Sequence, residues 1–472
     1  MSTRKHSYLT GLLLAVGLGA SSLLAPALPV VAAQQTQAVT SAKVTIQGQA
    51  VAWTTSPLIY RGVTYVPLRE AAERLGAEVK WNTAKRASEL RWHGDTILYR
   101  AGTGLFSVNG NTIRTSGGSL VRGGVTMVPL RGLAEVLKSD FRTVTVGKTV
   151  QVDLTPDSAT IRFPETEAAD RYLIAQRYSG IALIAKGDQV LLRKGYGYDG
   201  ENHLVRADRK SRIGSLTKSF TASAVMKLAE EGKLKLDDSL ESYFPGFPGG
   251  DRITIRLLLS HLSGINPNFP REAGMTLQET IEAIRAKPLL VEPNTKFIYS
   301  NSGYVILAGI IEKASGMRYG DYLKQNFFEP LGLNATGEAK PSIPVIQGYV
   351  SVGDQLWAPA GPYISQSGTG TLYSSVDDML TWVRSFETEW VLHQSSISQM
   401  FTPYSAKNYG YGWMIGEANG VTRVFHNGSG TGYATGMSRE LGGGYTLILL
   451  GNHAGMDTLT LMTELRKRLP SL

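Results

Sequence analysis

A chain of 472 residues exceeds what one hydrophobic core usually holds, so two or three domains are expected. Hydrophobic residues at 42% and charged residues at 18% belong to a globular protein and argue against wholesale disorder. The absence of cysteine excludes disulfides, thiolate metal sites, a cysteine nucleophile and a lipid-modified cysteine. Seven histidines, no two of them three or four residues apart, give no metal-ligand spacing, so neither a metal nor another cofactor is expected. The net charge of +9 is unevenly placed: residues 38–155 hold 15 Lys+Arg against 8 Asp+Glu, whereas residues 156–472 hold 31 of each. A basic module of this kind is drawn to anionic surfaces by long-range fields.

In chain order, residues 1–33 read as an export signal. Arg4 and Lys5 supply its positive end, Leu12 to Leu24 its apolar core, and Val31-Ala32-Ala33 the small residues before a cleavage point. The apolar stretch is nearly long enough for a membrane anchor, but Pro26 and Pro29 argue against one, and no stable membrane span is expected after cleavage. The protein is therefore expected to be secreted and to work outside the cytoplasm. No nucleic-acid partner is expected.

An internal repeat follows. Gly62-Val63-Thr64-Tyr65-Val66-Pro67-Leu68-Arg69 recurs as Gly124-Val125-Thr126-Met127-Val128-Pro129-Leu130-Arg131, and Ala72-Glu73-Arg74-Leu75 is echoed by Ala134-Glu135-Val136-Leu137. Each copy predicts strand, turn and amphipathic helix, hence a small α+β repeat domain over residues 40–155. Residues 156–168 are polar, contain Pro164 and read as a linker. The segment 169–472 then opens with a helical stretch to about Tyr178 and a hairpin, Gly180 to Ala185 and Gln189 to Leu192, turning at Lys186-Gly187-Asp188. Further strands near the end, Gly432 to Met437 and Tyr445 to Leu450, predict an antiparallel sheet built from both ends of this domain with helices between.

Three motifs in this segment carry chemistry. Ser215-Leu216-Thr217-Lys218 stands at the start of a run of helix formers, so hydroxyl and amine share one helix face beside the positive helix terminus. A desolvated lysine can activate a serine. The spacing alone is weak evidence, because Ser2-Thr3-Arg4-Lys5 shows it too. Tyr299-Ser300-Asn301, 81 residues after Lys218, offers a proton relay and an amide donor, or otherwise an ordinary capping loop. His426-Asn427-Gly428 precedes a predicted strand, where glycine would let a strand edge approach a ligand and a following N–H could help bind an oxyanion. His453-Ala454-Gly455 shares the pattern but ends a strand.

Taken in order, Ser-x-x-Lys, Tyr-x-Asn and His-x-Gly resemble the motifs of class C β-lactamases, serine D,D-peptidases and related esterases. Leu258-Leu259-Ser260-His261-Leu262-Ser263-Gly264, Glu329-Pro330-Leu331-Gly332-Leu333 and Tyr409-Gly410-Tyr411-Gly412-Trp413 support the resemblance. It implies an α/β hydrolase domain of β-lactamase/transpeptidase-like type, an antiparallel sheet flanked by helices plus a helical subdomain. It also implies Ser215 as acyl acceptor, Lys218 and Tyr299 sharing base and relay work, Asn301 orienting the substrate amide, and His426 and Gly428 lining the third motif. The backbone N–H groups of Ser215 and Ser429 would bind the oxyanion, and His261 would be structural. The repeat domain resembles the copper amine oxidase N-terminal-like stalk domain, which implies a non-catalytic appendage; its lone His93 gives copper no ligand set.

Lysine is usual in β-lactamases where this chain has His426. An unperturbed imidazole, with pKa about 6.5, is only about a quarter protonated at pH 7, which weakens recognition of a carboxylate. The reading is therefore a serine hydrolase of D-amino-acid peptide or ester bonds at the cell envelope. A peptidoglycan stem peptide is a candidate substrate, and an anionic wall polymer a candidate partner of residues 40–155. An esterase, a β-lactamase and a catalytically silent wall-binding module are the alternatives.

Overall fold

The computed structural model describes residues 40–146, 149–270, 272–352, 355–361, 365–418 and 420–471. The expected export signal lies outside them.

The two copies of the repeat fold as the sequence predicts. Strands Val63–Pro67 and Val125–Pro129 pair antiparallel about Val66 and Val128, and each runs straight into a seven-residue helix, Leu68–Arg74 and Leu130–Val136. The proline closing each strand sets the backbone that enters the helix. A five-stranded meander from Glu78–Asn82 to Asn111–Arg114 is inserted between the copies. Val66, Leu90, Ile97, Phe106, Leu133 and their neighbours form this region's own buried core.

The larger region is built on a seven-stranded antiparallel sheet. Its order is Ile161–Arg162, Gln189–Tyr196, Gly180–Lys186, Tyr445–Gly451, Tyr433–Glu440, Val421–Gly430 and Met414–Ala418. The expected hairpin is present, and both ends of the chain segment contribute to the sheet. Alternation along Gly180–Lys186 divides its side chains between two cores: Ile181, Leu183 and Ala185 face the large helical core, while Ala182 and Ile184 face helices Glu167–Ala175 and Thr458–Arg466.

The stretch expected as a linker takes part in the fold. Ile161 and Arg162 pair with Arg193 and Leu192, and Pro164–Thr166 forms a 3-10 turn leading into helix Glu167–Ala175. A buried ion network crosses between the two regions beside it. Lys194 Nζ lies 2.7 Å from Asp95 Oδ1 and 2.9 Å from Asp170 Oδ1, and donates to the His93 carbonyl at 3.0 Å. The polar residues of 156–168 did not disclose the pairing of Ile161 and Arg162, because their strand partners Arg193 and Leu192 lie far on in sequence.

Candidate active site

The central helix Thr217–Glu230 is buried along nearly its whole length, which its small residues Ala222, Ser223 and Ala224 permit. A 3-10 turn, Gly214–Leu216, precedes it and presents Ser215 at the helix entrance, partly exposed. One turn on, Lys218 is fully buried. Its Nζ donates to Ser215 Oγ at 3.1 Å, to Asn301 Oδ1 at 2.8 Å and to the Thr369 carbonyl at 3.2 Å. Nζ is thus surrounded by a side-chain hydroxyl, a side-chain amide oxygen and a backbone carbonyl.

Tyr299 and Asn301 come from the entrance of a second buried helix, Asn301–Ser315. Ser300 is its N-cap, accepting from Gly303 N, and Gly316 ends it in a left-handed conformation at φ 72°. Asn301 is therefore not the capping residue and keeps its amide for Lys218. The Tyr299 hydroxyl hydrogen-bonds with Ser215, and burial pushes the phenol's pKa up, holding it protonated.

His261 supports this loop. Its Nδ1 accepts from Ser300 N at 3.1 Å, its carbonyl accepts from Ile298 N at 3.0 Å, and its ring lies 4.4 Å from Tyr299, 4.5 Å from Tyr409 and 5.0 Å from Tyr304. Burial, with Lys218 and His426 nearby, drives its pKa well down.

The third motif lies inside a strand, Val421–Gly430, and not ahead of one as the sequence pattern suggested. Its outer neighbour Met414–Ala418 pairs only as far as Phe425, so His426 to Gly430 extend past that partner toward the Gly214–Leu216 turn. The approach is tight. A methyl group on Gly428 would lie 2.4 Å from Thr435 Oγ1, 2.5 Å from the Ile213 carbonyl and 3.0 Å from Ser215 N; one on Gly214, itself at φ 52°, would lie 3.0 Å from Ser429 N. Ser215 and Ser429 are thereby drawn together by two glycines.

His426 departs from expectation. It is buried, its Nδ1 donates to the Asn427 carbonyl at 2.6 Å, and its Nε2 accepts from the Tyr409 hydroxyl at 3.0 Å. Burial, reinforced by Lys218, lowers its pKa to about 3. The imidazole is neutral at pH 7 instead of a quarter charged, with both nitrogens engaged inside the protein. The Thr369 carbonyl was not anticipated, since backbone acceptors leave no mark in a sequence. Tyr409 lies in the Tyr-Gly-Tyr-Gly-Trp segment, whose composition did not reveal its partner.

A partly exposed serine at a helix entrance, a buried lysine, a tyrosine and a glycine-bearing strand edge on an antiparallel sheet are the parts that serine acyl transfer requires. Residues 166–467 match the β-lactamase family and residues 45–153 the copper amine oxidase N-terminal domain. The chain belongs to the β-lactamase family of penicillin-binding-protein-like serine hydrolases. It is 32% identical over 251 residues to a putative penicillin-binding protein, PbpX, of Bacillus subtilis (strain 168), spanning 52% of this chain and 64% of that protein, under two thirds of its length. Among solved structures, the octameric penicillin-binding protein homologue from Pyrococcus abyssi is 30% identical, with TM-score 0.57, 65% of this chain and 79% of that one covered. A D-stereospecific amidohydrolase from Streptomyces sp. is 26% identical, with TM-score 0.53 and 65% and 98% covered.

Proposed function

We propose that this protein is an exported serine hydrolase that transfers an acyl group to Ser215 and then to water, acting on D-amino-acid peptide, amide or ester bonds at the cell envelope. The carrying observation is the buried Lys218 side chain, with Nζ 3.1 Å from Ser215 Oγ and 2.8 Å from Asn301 Oδ1. Ser215 Oγ attacks the carbonyl carbon as its proton passes to Lys218 Nζ, acting in its neutral amine form, with the Tyr299 phenol as the adjacent proton relay. The oxyanion is held by the N–H groups of Ser215 and Ser429 while Asn301 orients the substrate amide. Collapse breaks the bond to the leaving amine or alcohol, which takes the proton, and water releases the acyl group from Ser215 by the same route.

The neutral His426 supports a substrate without a free carboxylate at the third motif, because an uncharged, internally bonded imidazole supplies no counter-ion. Internal D-peptide bonds, amides and esters fit this better than a carboxy-terminal D,D-dipeptide. A fluorophosphonate probe with Ser215→Ala as control tests the reading; no Ser215-dependent adduct would defeat it. Release of amine from a D-amino-acid amide distinguishes the amidase from an esterase, which would turn over only p-nitrophenyl esters.

The basic residues 38–155 support a second element of the proposal, attraction to anionic wall polymer. The full chain is expected to sediment with isolated walls at low ionic strength and to be released by salt. Lys85→Glu with Arg86→Glu, both exposed, should weaken it; binding indifferent to salt and charge would refute the idea.

A further inference from the structure

After strand Gln189–Tyr196 the chain makes an excursion before returning at Ser211–Arg212, just ahead of Ser215. The excursion is held by the amino-terminal domain. Leu204, 5% exposed, belongs to that domain's hydrophobic core, and its N–H donates to Glu135 Oε1 at 2.7 Å. Tyr198 Oη accepts from Thr112 N at 2.5 Å and donates to the Thr112 carbonyl at 3.0 Å. Asn202 Oδ1 accepts from Arg114 N at 3.2 Å, and Lys138 Nζ donates to the Gly195 carbonyl at 2.8 Å.

The same excursion grips the segment 346–349. Asp199 Oδ1 accepts from Gln347 N at 2.8 Å, and Tyr349 Oη accepts from Gly200 N at 2.9 Å. Asn452, fully buried, ties the pieces together: its Nδ2 donates to the carbonyls of Tyr198 at 2.8 Å and Gln347 at 2.6 Å, and its Oδ1 accepts from Ser179 Oγ at 2.7 Å. Segment 346–349 in turn holds the turn that follows Ser429. Tyr349 N donates to the carbonyls of Asn452 at 2.8 Å and Gly432 at 3.2 Å, and Tyr433 Oη donates to the Ile346 carbonyl at 2.8 Å. Gly432, at φ 84°, sits so close that a methyl group there would lie 2.9 Å from Gly348.

A cavity of about 600 Å³ opens between the two domains at this junction, bordered by Tyr178, Tyr196, Tyr198 and Tyr349. Each of these hydroxyls is already bonded within the protein, to the Ile181 carbonyl, Asp170, Thr112 and Gly200 respectively. Its tyrosine lining serves the junction.

We propose that the amino-terminal domain is a positioning element for the oxyanion end of the site, acting through Tyr198, Asn452 and Tyr349 on the turn after Ser429; this rests on the acyl-transfer reading above. Oxyanion donors work only when fixed before the charge develops, and small displacements of such groups slow the chemical step more than they weaken binding. The domain anchors the excursion at Tyr198, Asn202 and Leu204 and the end of the strand before it at Gly195, and the hydrogen-bonded chain carries that constraint to the Ser429 strand.

The test is the full chain carrying Tyr198→Phe together with Glu135→Ala, compared with the parent by hydrogen exchange and by p-nitrophenyl ester turnover. Faster exchange is expected in peptides covering 346–350 and 429–434, unchanged exchange in the central helix, and a kcat lowered about tenfold with KM held within about twofold. Exchange changes confined to 198–206, or an unchanged kcat whatever the thermal midpoint, would overturn the proposal. A parent without Ser215-dependent turnover defeats the acyl-transfer reading instead, while the exchange pattern still decides whether the relay exists.

Discussion

Lys218 Nζ lies 3.1 Å from Ser215 Oγ, so replacing it removes an amine beside the serine and takes a donor from Asn301 Oδ1 and the Thr369 carbonyl. Lys218→Met, close in volume, is expected to lower kcat for a p-nitrophenyl ester by about 10³-fold while retaining the fold; circular dichroism and steady-state kinetics check both. His426 gives a prediction of definite sign. Its folded pKa of about 3 lies below an unfolded value of about 6.5, so between these the unfolded chain takes up a proton that the folded chain refuses. The contribution of this neutral, buried imidazole is intact above pH 6.5 and declines as pH falls toward 3. Urea midpoints at pH 7 and pH 4.5 should therefore separate less in His426→Gln than in the parent, His261 supplying a remaining slope of the same sign. That Ser215, Lys218, Tyr299 and Asn301 meet at one place was legible from the order and spacing of their motifs. The protonation of His426 was not, since it depends on burial and on Tyr409.

Among elements, the Val421–Gly430 strand is the sensitive one. Gly428 has Thr435 Oγ1, the Ile213 carbonyl and Ser215 N where a side chain would go, so Gly428→Ala must push the strand and the serine turn apart. Destabilisation of about 1–3 kcal/mol and a kcat loss beyond that of the unfolded fraction are expected, from thermal melts and kinetics on the same samples. The hairpin Gly180–Lys186 to Gln189–Tyr196 was readable from its alternation and turn residues. The placement of His426 within a strand was harder to read: the strand runs on through Asn427, Gly428 and Ser429, residues whose propensities favour turns.

For the whole molecule, the decisive contact is the ion network between the domains. Asp95 is 2% exposed; burial pushes its carboxyl pKa up, but Lys194 and Lys138 outweigh that and hold it below the usual range. Asp95→Ala would leave Lys138 with the Gly195 carbonyl but without its carboxylate, and deprive Lys194 of one of its two carboxylates. A loss of about 3–5 kcal/mol is expected by chemical denaturation, far more than from an exposed pair such as Lys80 with Glu78. The stabilisation from Asp95 itself is present above its unfolded pKa of about 3.9 and is lost as pH falls through the lower folded value.

The repeat, the alternating strands, the cysteine-free composition and the order of Ser215, Lys218, Tyr299, Asn301 and His426 were determined by the sequence alone, because each is a local pattern of spacing or residue type. The tertiary structure decided what those patterns mean together. It turned a stretch read as a linker into part of the sheet, neutralised His426, gave Lys218 a third acceptor and joined the amino-terminal domain to the Ser429 turn through Asn452. All of these depend on partners tens to hundreds of residues apart, and on a low-dielectric surrounding that exists only once the chain has folded.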